Sequence, residues 1–153
     1  MLLLSNLVSK FPISQFYDLI CGPNQRVVQC PSSCQSDYCP TREGESLFCL
    51  QPTECPPPSC KCTLNYRFAS KENNTCIPTR QCPPFDCPGV NEVYNPCPPI
   101  CPTDSCTQAS PSGKCPSLGA SNMLLVCIPS CRCKKDHWRD DNGTCVPYNK
   151  CRK

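Results

Sequence analysis

The chain predicts a small disulfide-rich fold: two modules of short strands, turns and loops, five disulfides each, with little or no helix. Three observations predict it. Twenty of the 153 residues are cysteine, above the ~8–10% that marks a disulfide scaffold. Twenty more are proline, against only five Phe, five Tyr and one Trp. The cysteines also fall into two sets of ten with one rhythm, which sets the number of modules.

The first set is Cys21, Cys30, Cys34, Cys39, Cys49, Cys55, Cys60, Cys62, Cys76 and Cys82, with gaps of 8, 3, 4, 9, 5, 4, 1, 13 and 5 residues. The second is Cys87, Cys97, Cys101, Cys106, Cys115, Cys127, Cys131, Cys133, Cys145 and Cys151, with gaps of 9, 3, 4, 8, 11, 3, 1, 11 and 5. Each repeat is small, 62 residues for 21–82 and 65 for 87–151. A core of that size supplies roughly 3–5 kcal/mol, so such modules need staples. A crosslink closing about 15 residues contributes on the order of 3 kcal/mol by restricting the unfolded chain. Disulfides persist outside the reducing cytosol, so a secreted, extracellular protein is expected.

In chain order, residues 1–20 are a leader. Its apolar start, Met1 to Val8, is broken by Ser5 and Asn6, and its first basic residue, Lys10, follows the apolar stretch. It reads as a degenerate signal peptide or as a plain disordered tail. The first repeat occupies 21–82. Pro83, Pro84, Phe85 and Asp86 form a linker whose paired prolines favour extended geometry, which would hold the repeats apart. The second repeat occupies 87–151, and Arg152 and Lys153 trail. No apolar run reaches the ~18 residues of a membrane helix.

Within each repeat, proline recurs too often for helices, and no stretch keeps helical apolar spacing. The best hairpin lies between the eighth and ninth cysteines, TLNYRFASKENNT in the first repeat and KKDHWRDDNGT in the second. Asn142-Gly143 suits a tight turn there. Asn73-Asn74-Thr75 and Asn142-Gly143-Thr144 are also N-glycosylation sequons, alongside the simpler reading of Asn73 and Asn142 as turn residues.

Charge and motifs exclude several functions. The net charge is +3, with eight Lys/Arg against five Asp/Glu over 87–153 and six against five over 21–82. No aromatic residues interleave with these cations in a stacking pattern, so a solvated surface is expected rather than a nucleic-acid site. The pairs Cys60-Lys61-Cys62 and Cys131-Arg132-Cys133 lack the second ligand pair of a zinc site, and the only histidine is His137. His137 sits among basic and aspartate turn residues, a setting for a structural histidine rather than a general base. No enzyme, cofactor or metal is expected.

Ten cysteines allow about 945 pairings, and spacing leaves the choice open. The repeats resemble the trypsin-inhibitor-like, cysteine-rich (TIL) domains of nematode and insect protease inhibitors. The resemblance rests on the openings CGPNQRVVQC and CPGVNEVYNPC, the gaps of 3 and 4 after the second cysteine, the CxC pair and the closing gap of 5. It covers 21–82 and 87–151; similar modules also occur in large extracellular adhesive glycoproteins. The resemblance implies the pairs Cys21–Cys60, Cys30–Cys55, Cys34–Cys49, Cys39–Cys82 and Cys62–Cys76 in the first repeat. In the second it implies Cys87–Cys131, Cys97–Cys127, Cys101–Cys115, Cys106–Cys151 and Cys133–Cys145.

The same resemblance implies that the segment between the fifth and sixth cysteines is a substrate-like loop pinned at both ends. A protease binds substrate as an extended strand, and a loop already held in that shape loses little entropy on binding. In the first repeat this segment is Leu50, Gln51, Pro52, Thr53 and Glu54; in the second it is the 11 residues 116–126, ending in Asn122, Met123, Leu124, Leu125 and Val126. The family usually has three residues there, with the cut after the second. Counted forward, the first bond is Gln51-Pro52, and counted back from Cys55 it is Thr53-Glu54. The back count is preferred, because proline after a bond resists serine proteases. In the second loop the back count gives Leu125-Val126, and another register gives Asn122-Met123. The first suits chymotrypsin-, elastase- or subtilisin-like enzymes. The second suits thermolysin-like metalloproteases, which an insect member of the family with a lengthened loop targets. Neither loop contains Lys or Arg, which argues against trypsin. A secreted, monomeric inhibitor of an endogenous or microbial extracellular protease is therefore expected, with the second loop as the active one and no nucleic-acid or membrane partner. The rival reading is a structural or adhesive extracellular module.

Overall fold

The computed structural model describes residues 19–45, 49–98, 104–113 and 126–151. The expected leader therefore lies outside the described residues except for Leu19 and Ile20, as do the Cys101–Cys115 pair and residues 116–125 of the second loop.

Five two-stranded antiparallel ladders carry the regular structure of the described residues. In the N-terminal half, β1 (Gln25–Val28) pairs with β4 (Ser59–Cys62), β2 (Ser33–Cys34) with β3 (Cys49–Leu50), and β5 (Tyr66–Phe68) with β6 (Cys76–Pro78). In the C-terminal half, β7 (Glu92–Asn95) pairs with β8 (Ser130–Cys133), and β9 (His137–Arg139) with β10 (Cys145–Pro147). The registers repeat: Gln25 opposes Cys62 and Glu92 opposes Cys133. No α-helix occurs among the described residues; single 3-10 turns occur at Gln35–Asp37, Thr79–Gln81, Cys106–Gln108 and Tyr148–Lys150. No helix there is long and apolar enough to cross a membrane.

Two-stranded ribbons this short are marginal in water, so the crosslinks must hold them. The described residues contain nine disulfides: Cys21–Cys60, Cys30–Cys55, Cys34–Cys49, Cys39–Cys82 and Cys62–Cys76, then Cys87–Cys131, Cys97–Cys127, Cys106–Cys151 and Cys133–Cys145. The interior is largely sulfur. Its buried apolar residues are Phe68 and the half-cystines Cys39, Cys76, Cys82, Cys106, Cys127, Cys131 and Cys145. Phe68 packs on Tyr38 with ring centroids 5.6 Å apart. At the corresponding place in the C-terminal half, Arg139 pairs with Asp104 at 3.2 Å and with Glu92.

Each of β1, β5, β7 and β9 opens from one kind of turn. Its third residue is Asn24, Asn65, Asn91 or Asp136, with φ of 57°, 63°, 62° and 62°. Asn and Asp tolerate this left-handed conformation better than other side-chain-bearing residues. In the first turn Pro23 precedes Asn24, and the closing bond runs from Gln25 N–H to the Gly22 carbonyl at 3.2 Å. The carbonyls of Asn24 and Asn91 then accept from Thr63 and Lys134, both at 2.8 Å, which ties each opening turn to the residue just after the CxC pair.

The hairpin at 137–147 forms, but Asn142-Gly143 does not make a two-residue turn. Gly143 N–H bonds the Asp140 carbonyl at 2.9 Å, and Gly143 alone takes positive φ, 78°. The Asp140 carboxylate accepts from the backbone N–H of Asn142 at 3.0 Å and of Thr144 at 2.9 Å. That aspartate favours a longer turn with a glycine bulge over a primed one.

The two halves touch, contrary to what the paired prolines imply. A four-residue linker spans at most about 14 Å, which leaves the halves close enough for the Cys127 backbone to bond Asn65 and Arg67. Phe85 sets its ring edge against Tyr94 with centroids 4.8 Å apart. The Tyr94 hydroxyl is buried without a hydrogen-bond partner among the described residues. Burial raises the Tyr94 phenol above its ordinary pKa, and the Arg67 guanidinium of the other half opposes that rise.

Two predictions follow from these contacts. Asn24→Ala lowers unfolding stability by about 1 kcal/mol in denaturant titrations with the disulfides intact, while Asn24→Gly does not, because Asn24 is exposed and only its backbone conformation is at stake. The unfolded chain ionises its tyrosine before the folded one does. The Tyr94 contribution is therefore intact below pH about 10 and is lost as pH rises through the folded-state value. Tyr94→Phe flattens the alkaline limb of a stability–pH curve.

Candidate functional site

The segment 50–54 begins inside a ladder. Cys49 and Leu50 form β3, where Leu50 opposes Ser33 and Cys49 opposes Cys34, and the Cys34–Cys49 bridge crosses that same pair. The other end, Cys55, is bridged to Cys30. Both anchoring partners therefore lie in the short stretch 30–34, so the two ends of the loop are fixed to one piece of backbone. Leu50 is 70% exposed, and Gln51, Pro52, Thr53 and Glu54 are exposed as well. Proline restricts the residue before it to extended conformations, so Pro52 stiffens Gln51. The chain bends at Thr53 and Glu54.

The anchoring stretch is itself held. Asp37 accepts from the Cys34 N–H at 3.3 Å and pairs with Lys61 of the CxC strand at 2.5 Å. Its counterpart, Asp104, accepts from the Cys133 N–H at 2.7 Å and pairs with Arg139. Burial alone would lower the Arg139 pKa, but its hydrogen bond to Glu92 and the charges of Asp104 and Glu92 outweigh burial and raise it. The same guanidinium also donates to the carbonyls of Gly143 and Cys131, both at 3.1 Å.

Of the second loop's candidate residues, Val126 is described; Asn122, Met123, Leu124 and Leu125 lie outside the described residues. Val126 is 51% exposed, while the next residue, Cys127, is 4% exposed and bridged to Cys97. Both polar groups of the Cys127 backbone meet the N-terminal half. Its N–H donates to Asn65 Oδ1 at 2.8 Å, and its carbonyl accepts from Arg67 Nη2 at 3.4 Å. Asn65 and Arg67 carried no signal in the sequence for this role. The GPN and GVN segments did contain one, an Asn two residues after Gly, which is the turn residue before β1 and β7.

The remaining candidates sit apart. Cys60, Cys62, Cys131 and Cys133 spend their sulfurs in bridges. His137 Nδ1 faces the Lys135 carbonyl at 3.1 Å. Asn73 is exposed, and its Oδ1 accepts from the Thr75 N–H at 3.0 Å; Asn142 is exposed at its turn.

The Cys34–Cys49 bridge closes a separation of 15 residues. Replacing both cysteines by alanine lowers unfolding stability by about 3 kcal/mol, measured by denaturant titration. The same change accelerates amide exchange at Leu50.

Residues 87–151 match the family model described as trypsin inhibitor like cysteine rich domain. No curated protein matches the chain. No solved structure matches it either.

Proposed function

We propose that the protein is a secreted protease inhibitor, not an enzyme, built from two TIL-like modules at 21–82 and 87–151. The observation that carries this reading is the first loop. It is an exposed segment whose two ends are bridged to one short stretch of backbone, through Cys34–Cys49 and Cys30–Cys55. A loop pinned in this way loses little freedom in a protease cleft, and if it is cut its new ends stay in place to be rejoined. The family match over 87–151 supports the same reading for the half that contains the longer loop. The repeated ladders and left-handed turns support treating 21–82 as a second copy. The disulfide content supports an extracellular setting, and Asn73 and Asn142 are proposed glycan acceptors there.

The first loop supports the reading by how its ends are pinned, while its own sequence is a poor substrate mimic in either register. Thr53-Glu54 lies at a bend, and Gln51 is followed by proline. The second loop is therefore assigned the activity, with Leu125-Val126 as the bond presented to chymotrypsin-, elastase- or subtilisin-like serine proteases. Thermolysin-like metalloproteases are the second target class, through Asn122-Met123.

Incubation with chymotrypsin, elastase, subtilisin and thermolysin, followed by sequencing of any slowly cut bond, tests this. Inhibition of a serine protease with slow cleavage at Leu125-Val126 is expected, and Leu125→Asp weakens it at least about 30-fold, as for other interface anchors. Full activity of all four enzymes at micromolar protein overturns the proposal in favour of a structural or adhesive module.

A further inference from the structure

A buried guanidinium is costly unless carbonyls or carboxylates surround it. Arg67 is 7% exposed, and its acceptors come from both halves. Nη1 donates to the Ser36 carbonyl and, at 3.4 Å, to the Tyr38 carbonyl, while Nη2 donates to the Cys127 carbonyl. Beside it, Asn65 is fixed from three sides. It holds the left-handed position of its turn, its carbonyl accepts from the N–H of Thr79 at 2.8 Å, and its side chain receives the Cys127 N–H at 2.8 Å. Thr79 is only 1% exposed, so the base of this arrangement is rigidly packed. Further along, the Glu43 carboxylate accepts from the Cys131 N–H at 2.7 Å. A groove between the halves is lined by Leu64, Asn65 and Arg67 on one side and by Val126 and Cys127 on the other.

We infer that the N-terminal half is a brace for the C-terminal half, with Asn65 and Arg67 as positioning residues that hold the Cys127 backbone. Cys127 terminates the segment to which inhibition is assigned above. The inference therefore rests on that reading for its functional consequence, though not for the contact itself. The Cys97–Cys127 bridge fixes the sulfur of Cys127 but leaves the two peptide planes that flank its Cα free to rotate. Asn65 takes the N–H of the peptide before Cys127 and Arg67 the carbonyl of the peptide after it, so the two contacts together orient the backbone on both sides of the Cys127 Cα. A protease engaging Val126 would meet Leu64 across the same groove.

The test uses the full chain with Asn65→Gly, which keeps the left-handed turn and deletes the acceptor, and Asn65→Asp, which keeps both turn and acceptor. Asn24→Gly, in the equivalent turn before β1, controls for added backbone freedom. The first readout is amide exchange at Cys127 in the free protein. Asn65→Gly is expected to speed it about fivefold, the effect of losing one hydrogen bond of ordinary net worth. Asn65→Asp and Asn24→Gly leave it near the wild-type rate. The second readout is the inhibition constant for the protease found with the wild-type chain. Weakening of similar size with Asn65→Gly, rescued by Asn65→Asp, supports the positioning role. Unchanged exchange at Cys127 overturns the brace. Faster exchange with unchanged inhibition overturns the positioning role while leaving the inhibitor reading intact. A wild-type chain that inhibits no protease overturns the inhibitor reading, and with it the positioning role, and the brace is then decided by exchange alone.

Discussion

The CxC strand is the constraint on which the rest depends. Side chains two apart on a strand point to the same face. Cys60 and Cys62 therefore present both sulfurs on one side of β4, as Cys131 and Cys133 do on β8. One sulfur reaches back to the residue that opens the half, Cys21 or Cys87, and the other reaches forward to the hairpin, at Cys76 or Cys145. A single four-residue strand thus pairs with one ribbon by backbone hydrogen bonds and is bolted to the next by sulfur. Without that double attachment the ribbons would be separate and, at this length, unstable.

Around this hub the two halves solve one packing problem in two ways. The last residue of β5 is Phe68, packed at a tilt against Tyr38; the last residue of β9 is Arg139, set between Asp104 and Glu92. An aromatic pair gains from burial, whereas a partly buried ion pair roughly balances Coulomb attraction against desolvation. The second arrangement is held by geometry more than by net energy, since Arg139 also donates to two backbone carbonyls. The scaffold accepts either solution because neither side chain carries the crosslinks.

The cysteine rhythm made the disulfide-rich class and the hairpins legible, because crosslinks and turn residues are local and frequent. Pairing was not legible in the spacings, since many connectivities share one set of gaps. The left-handed turns at Asn24 and Asn91 were visible as Gly-x-Asn but are easily passed over beside so many cysteines. The site was legible only as far as its boundaries. The pairing of Leu50 with Ser33 joins residues 17 positions apart, and the bend at Thr53 has no marker of its own in the spacing. The contact of Asn65 and Arg67 with Cys127 joins residues about sixty positions apart with no periodic pattern to announce it. Arg67 looks like an ordinary strand surface residue until its acceptors are seen.

An interior made mostly of sulfur also divides the molecule by its freedom to change. Most positions between cysteines can take new side chains without repacking a hydrophobic interior, because there is little of one to repack. The Asn65–Arg67–Cys127 junction is different. A substitution on one side there alters the surroundings of backbone belonging to the other, so the two halves cannot diverge independently at that point.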